Sequence, residues 1–228
     1  MSSALEAIYP SACEVCGTEL VDGEGLMCLK CRLNMPLTHI HSGDFNQIHQ
    51  RLARTGLPIE HAGSLFYYVR DNEYARLIQR SKYNSRPSID RALARMFVKE
   101  VGSGGFFEGV DVLVPVPMHF LKVACRGFNQ SHEICKAVSE LTGIAVMADN
   151  LRARRHQTQT RRGVAARQAN VEGIISVVDG RKFAGKHVMV VDDVITTGAT
   201  MLACLDAIHR AAPDARLSVM SLALTKRL

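Results

Sequence analysis

The run His187-Val-Met-Val-Val-Asp-Asp-Val-Ile-Thr-Thr-Gly-Ala-Thr200 constrains the fold of this chain more than any other stretch. Its residues 187–191 read as a buried strand, and residues 199–210 as a helix. Two adjacent acids and a turn of small, hydroxyl-bearing residues lie between them. An apolar strand that feeds a helix in this way belongs to a parallel sheet covered on both faces. Ligands of such sheets bind just beyond the carboxyl ends of the strands. The turn Thr196, Thr197, Gly198, Ala199 and Thr200 sits at a helix N-terminus. Free backbone N–H groups and the helix dipole attract an anion there. Gly198 permits close backbone approach, and the threonine hydroxyls can donate to phosphate oxygens.

Asp192 and Asp193 stand beside this cradle, and two carboxylates repel a phosphate unless they face something else. Sugar hydroxyls and a magnesium ion are suitable partners, since Mg²⁺ prefers carboxylate and phosphate oxygen. A ligand with a phosphate, adjacent ribose hydroxyls and a metal-bound pyrophosphate fits the arrangement. The plainer reading is that the acids end the strand and the threonines form an N-cap turn.

Elsewhere the pattern alternates between the two periods. Strands are expected over 62–69, 110–116, 144–147, 173–178 and 217–224, and helices over 72–83, 88–101 and 129–142. Pro87 precedes the second helix and Gly143 stops the third. Residues 39–61 carry His39, His41, His49 and His61 among polar residues and read as a connector with room for a short helix.

Four of the seven cysteines form two pairs, Cys13-x-x-Cys16 and Cys28-x-x-Cys31, with eleven residues between them. Two such knuckles complete a tetrahedral Cys₄ zinc site, although the spacing is shorter than the usual ~15–20 residues. All four positions are filled by protein, so the expected site is structural. Cys135 and Cys204 fall in helix patterns as buried thiols, while Cys125 adjoins Arg126.

The formal net charge is +6 and 47% of residues are hydrophobic. That composition excludes a disordered chain and suits an anionic partner. Residues 151–170 hold six arginines and no acid. A loop closing over pyrophosphate or a single-stranded DNA surface would both use such charge, but the segment lacks an aromatic for base stacking. Met1–Ala12 show no secretory signal, and no apolar run reaches the ~18 residues of a membrane span. A cytoplasmic protein without membrane insertion is expected.

Beyond single features, the phosphate-binding run resembles the phosphoribosyl-pyrophosphate signature of type I phosphoribosyltransferases. Most of the chain resembles the ComF family, the competence protein F and amidophosphoribosyltransferase-like proteins. Val114-Pro-Val-Pro-Met-His119 resembles that family's first active-site loop, and Arg126-Gly-Phe-Asn-Gln130 its next block. Gln159-Thr160 with Arg167 and Asn170 resembles a third, and the cysteine pairs are also a family feature. Phe120, Lys122, Arg162 and Ile175 depart from the usual residues.

The resemblance implies a type I phosphoribosyltransferase-like α/β domain over 62–228 with a parallel sheet of about four or five strands and a small hood. A zinc ribbon over 1–45 and a linker over 46–61 precede it. Asp192 and Asp193 are the expected catalytic acids. Pro117, His119, Lys122 and Arg126 are expected to face pyrophosphate, with His119 either a proton shuttle, an anion donor or a local backbone cap. The implied activity is pentosyl-transferring glycosyltransferase chemistry on phosphoribosyl pyrophosphate with Mg²⁺, linked to DNA uptake in natural transformation. A non-catalytic sugar-phosphate or single-stranded-DNA-binding role in competence, beside DNA-uptake proteins, is the alternative.

Overall fold

The computed structural model describes residues 12–41, 45–53, 56–83, 85–102, 104–118, 120–153 and 175–226. In chain order these give α1 (Leu29–Leu33), β1 (Leu37–Ile40), α2 (Gln47–Leu52), β2 (Ile59–Tyr68), α3 (Glu73–Tyr83) and α4 (Pro87–Val101). Then come β3 (Val112–Pro115), α5 (Phe120–Arg126), α6 (Gln130–Thr142), β4 (Ala145–Val146), β5 (Leu151–Ala153) and β6 (Ile175–Val177). A 3₁₀ turn (Gly180–Lys182), β7 (His187–Ile195), α7 (Ala199–Ala211) and β8 (Arg216–Thr225) complete the described chain.

Six strands form one sheet in the order β1-β2-β8-β7-β3-β4. Every pairing is parallel except β1 with β2. The fold is therefore mixed α/β with a mostly parallel sheet. Its five parallel strands match the four or five expected, and β1, from the cysteine-bearing end of the chain, adds an antiparallel edge. Strands β5 and β6 pair separately as a small antiparallel ribbon.

The pleat sorts the core into two layers. Met189 and Val191 of β7 join Leu113, Met220 and Leu222 under α3, α4 and α6. Val188 and Val190 join Val112, Val114 and Val219 on the other face, against α2 and α7. The cysteine module belongs to the first layer, where Cys13, Val15, Met27 and Met35 are buried with Leu77 and Phe97. Both faces being covered explains why β7 reads as an unbroken apolar run.

Local chemistry sets the helix ends. The Asn129 side chain accepts the Ser131 N–H at the start of α6, and Gly143, in the left-handed region at φ 75°, ends it. Asn46 caps α2 through its side chain, and His49 returns a bond to the Asn46 N–H. The stretch read as a connector therefore holds an anchored helix in which Ile48, Arg51 and Leu52 are buried. Strand β2 begins at Ile59, three residues before the expected start. Strand β7 runs on through both acids to Ile195, because Asp192, Val194 and Ile195 keep their register with β8.

Among the described residues, no helix is long and apolar enough to cross a membrane.

Candidate active site at the end of the central strand

The parallel strand β7 carries Asp192 and Asp193 toward its carboxyl end, followed by the turn 196–198 and α7. The two acids have different surroundings. Asp192 Oδ1 accepts a hydrogen bond from Ser131 Oγ in the first turn of α6 at 3.0 Å and from the Asp193 N–H at 2.9 Å. Burial, and then the neighbouring Asp193 charge, push the Asp192 carboxyl up to about 7. Asp193 is buried, and its Oδ2 lies 2.6 Å from Lys82 Nζ at the end of α3.

The turn is built as a backbone cradle. Gly198 occupies the N-cap of α7 at φ 83°, with no side chain capping the helix. The first-turn N–H groups are thus not taken by an N-cap side chain, apart from a long 3.4 Å bond from the Ala199 N–H to Thr197 Oγ1. A Cβ on Gly198 would stand 2.8 Å from Leu52 Cδ2, so α2 presses directly on the turn. Thr196, Thr197 and Thr200 are exposed and free to face a ligand, Ala199 is half-buried and Gly198 is buried.

Behind the turn lies Arg51, 4% exposed. Its Nη1 donates to the carbonyls of Thr196 at 2.6 Å and Ile195 at 3.2 Å, and to Thr225 Oγ1 at 3.1 Å. Its Nη2 donates to the Thr225 carbonyl at 2.7 Å. These bonds draw the carbonyls of the turn inward, on the α2 side.

The loop after β3 approaches from the other flank of β7. Asn129 Nδ2 donates to the Val116 carbonyl at 3.0 Å, which ties this loop to the cap of α6. Pro117 in the loop is half-buried. Arg126 ends α5 with its guanidinium 5.8 Å from the Tyr83 ring centroid, and its carbonyl accepts from Ser85 Oγ at 3.1 Å. Lys122 belongs to α5, but its side chain lies outside the described residues, as does all of His119. So do Gln159, Thr160, Arg162, Arg167 and Asn170; of the six arginines only Arg152, exposed on β5, is described.

Three residues of this region were not singled out from the sequence. Ser131 directly follows the Arg126–Gln130 block, so its place beside an N-cap was the available signal. Lys82 and Arg51 gave none, because their contacts span 111 and 145 positions of chain respectively.

In the N-terminal module, whose Glu14 pairs with Arg80 and Arg86 on either side of Lys82, Cys13, Cys16, Cys28 and Cys31 bring their sulfurs within 4.8 Å of one another. Cys16 Sγ and Cys28 Sγ are 3.8 Å apart, and the Cys28 N–H donates to Cys13 Sγ. The Thr18 hydroxyl and N–H lower the Cys16 thiol to about 6. Four soft donors gathered in this way can hold a metal such as zinc, and the cluster fits a zinc ribbon.

The phosphoribosyl transferase domain family matches residues 79–227. Competence protein F of Haemophilus influenzae is 33% identical over 131 residues, 55% of this chain, which span 57% of that protein's length. DNA utilization protein YhgH of Salmonella typhimurium is 28% identical over 77% of this chain and 87% of its own. A solved B. subtilis glutamine phosphoribosylpyrophosphate amidotransferase superposes with a TM-score of 0.44 at 22% identity, over 63% of this chain and 30% of that one. The family match runs from α3 to β8 and so takes in the acid pair, the turn and the Arg126 block. The chain belongs to the phosphoribosyl transferase domain family, as a ComF-type member with a cysteine module at its N-terminal end.

Proposed function

We propose that this protein binds phosphoribosyl pyrophosphate and transfers its phosphoribosyl group to an acceptor, in a cytoplasmic step linked to DNA uptake. The observation that carries the reading is the pairing of an acid couple, Asp192 half-buried and Asp193 buried, with an uncapped helix N-terminus on one strand–turn–helix unit. The turn 196–200 takes the 5-phosphate on backbone N–H groups and threonine hydroxyls. Asp192 and Asp193 take the ribose hydroxyls, with Asp192 held in place by Ser131. Pro117, His119, Lys122 and Arg126 face the pyrophosphate, whose charge the cations balance.

The acceptor's nucleophile then attacks the anomeric carbon as the bond to pyrophosphate breaks. The nearby carboxylates stabilise the positive charge that develops on the sugar ring. The two carboxylates beside a phosphate cradle are hard oxygen donors suited to magnesium, which when bound neutralises pyrophosphate charge. The four cysteines hold a structural zinc, since every coordination position is protein-filled.

The test is calorimetric titration of the protein with phosphoribosyl pyrophosphate, with and without Mg²⁺. Micromolar binding that disappears in the Asp192→Ala/Asp193→Ala double variant supports the reading. No binding by the wild type rejects it.

A second reading draws on the printed names of the relatives, one for competence and one for DNA utilization. In it the protein binds a sugar phosphate or single-stranded DNA without catalysis and assists DNA-uptake proteins. A shift of labelled single-stranded DNA at low salt, steeply lost as salt rises, is its expected signature. Absence of any shift at low salt counts against it.

A further inference from the structure

We infer that Lys82 is a further binding residue of this site, one that surrenders Asp193 to the ribose hydroxyls and turns its ammonium to the pyrophosphate. The inference rests on the sugar-phosphate reading above and adds a residue that the sequence pattern did not mark.

The contact is not an ordinary surface bridge. Lys82 Nζ stands 2.6 Å from Asp193 Oδ2, with the two side chains only 23% and 11% exposed. An ammonium this close competes with a ribose hydroxyl for Asp193 Oδ2. A sugar that takes this oxygen displaces the ammonium. The displaced charge has a destination when the ligand carries pyrophosphate, because lysine is a compact point charge on a flexible stem and binds phosphate readily.

The base of that stem is fixed. Ser81, fully buried in the last turn of α3, donates its hydroxyl to Asp90 Oδ2 in the first turn of α4. Asp90 is itself fully buried, and its Oδ1 has no partner. The bond clamps the end of α3, so Lys82 departs from a set position while its ammonium keeps its reach. The residues that follow meet the other side of the site. The Tyr83 ring lies under the Arg126 guanidinium at 5.8 Å, and Ser85 Oγ donates to the Arg126 carbonyl. The end of α3 therefore spans from the acid pair to Arg126, and the other cation of its last turn, Arg80, is paired with Glu14.

Two ligands separate the roles. Ribose 5-phosphate carries the phosphate and hydroxyls but no pyrophosphate, whereas phosphoribosyl pyrophosphate carries all three. In calorimetric titrations with Mg²⁺, Lys82→Met is expected to weaken phosphoribosyl pyrophosphate by roughly 10- to 100-fold, as for one charge-assisted contact. Ribose 5-phosphate should keep its affinity within about threefold or bind more tightly, since it no longer competes with the ammonium. Equal loss for both ligands, or no loss for either, overturns the inference while leaving the sugar-phosphate reading intact. Failure of the wild type to bind either ligand overturns both.

A second measurement needs no variant. Lysine acylation of the wild type, mapped by mass spectrometry, should rise at Lys82 with ribose 5-phosphate and fall with phosphoribosyl pyrophosphate. Labelling at Lys82 that neither ligand changes also overturns the inference.

Discussion

Arg51 Nη1 lies 2.6 Å from the carbonyl oxygen of Thr196, so α2, which lies between β1 and β2 in the chain, holds the turn that follows the central strand. The same guanidinium reaches Ile195 and Thr225. Replacing Arg51 by Met would leave these buried carbonyls short of donors, at about 1–3 kcal/mol for each that finds no water. Urea unfolding of Arg51→Met is expected to show a loss of about 3 kcal/mol. A change below about 0.5 kcal/mol would show that the turn holds its shape without this clamp.

Gly198 is constrained twice, by φ 83° and by Leu52. An alanine there meets the left-handed penalty of roughly 1–2 kcal/mol and pushes on Leu52 Cδ2. Gly198→Ala should melt several degrees lower and bind phosphoribosyl pyrophosphate at least tenfold more weakly. Thermal melting and titration together check this; an unchanged affinity would mean that the backbone here does not approach the phosphate.

Asp90 gives the stability of the fold a pH dependence. Burial raises its carboxyl to about 7, against a Ser81 hydroxyl that acts in the opposite direction. The folded state thus prefers protonated Asp90, while the unfolded chain ionises near the ordinary carboxylate value. Its contribution is fully present below about pH 4, declines as pH rises, and is lost above about pH 7. A rise from the ordinary carboxylate value to about 7 corresponds to at most about 4 kcal/mol. Asp90→Asn removes the titration, so its stability relative to wild type should increase from pH 5 to pH 8 in chemical denaturation. A difference that stays flat across that range would remove Asp90 as the source.

The cysteine module predicts a metal dependence. Its buried residues share a core layer with α3 and α4, and Tyr74 Oη donates to the Cys31 carbonyl at 2.7 Å. Elemental analysis should find one zinc per chain, and Cys31→Ser should lower that content. Removing the metal with a chelator should reduce the melting temperature by at least ~5 °C, as expected when a small metal-held segment loosens. Retention of the full melting temperature without metal would show that packing alone sustains the module.

The strand–turn–helix unit at 187–211 was legible because its period, its acids and its glycine all act locally. The helices α3, α4 and α6 were legible for the same reason, each with apolar residues at helical spacing, and Pro87 and Gly143 mark an end of α4 and of α6. Strand β1 and helices α1 and α5 were not, and α2 was legible only as room for a short helix within 39–61, all four being four to seven residues long. The site divides in the same way. Asp192, Asp193 and the turn could be read from one run of residues. Lys82 and Arg51 could not, since a charge that meets its partner across more than a hundred positions leaves no periodic trace.

Both flanks of the main sheet are poor templates for a foreign strand. On one side β1 has only four residues, and its register with β2 is broken between Leu37 and Ile40, where His39 adopts φ 53°. On the other, β4 offers just Ala145 and Val146. A long apolar strand such as β2 or β8 left at a margin would invite intermolecular β-pairing during synthesis or heating. Placing the longest strands inside and the shortest outside confines that hazard to the interval before the outer strands have docked.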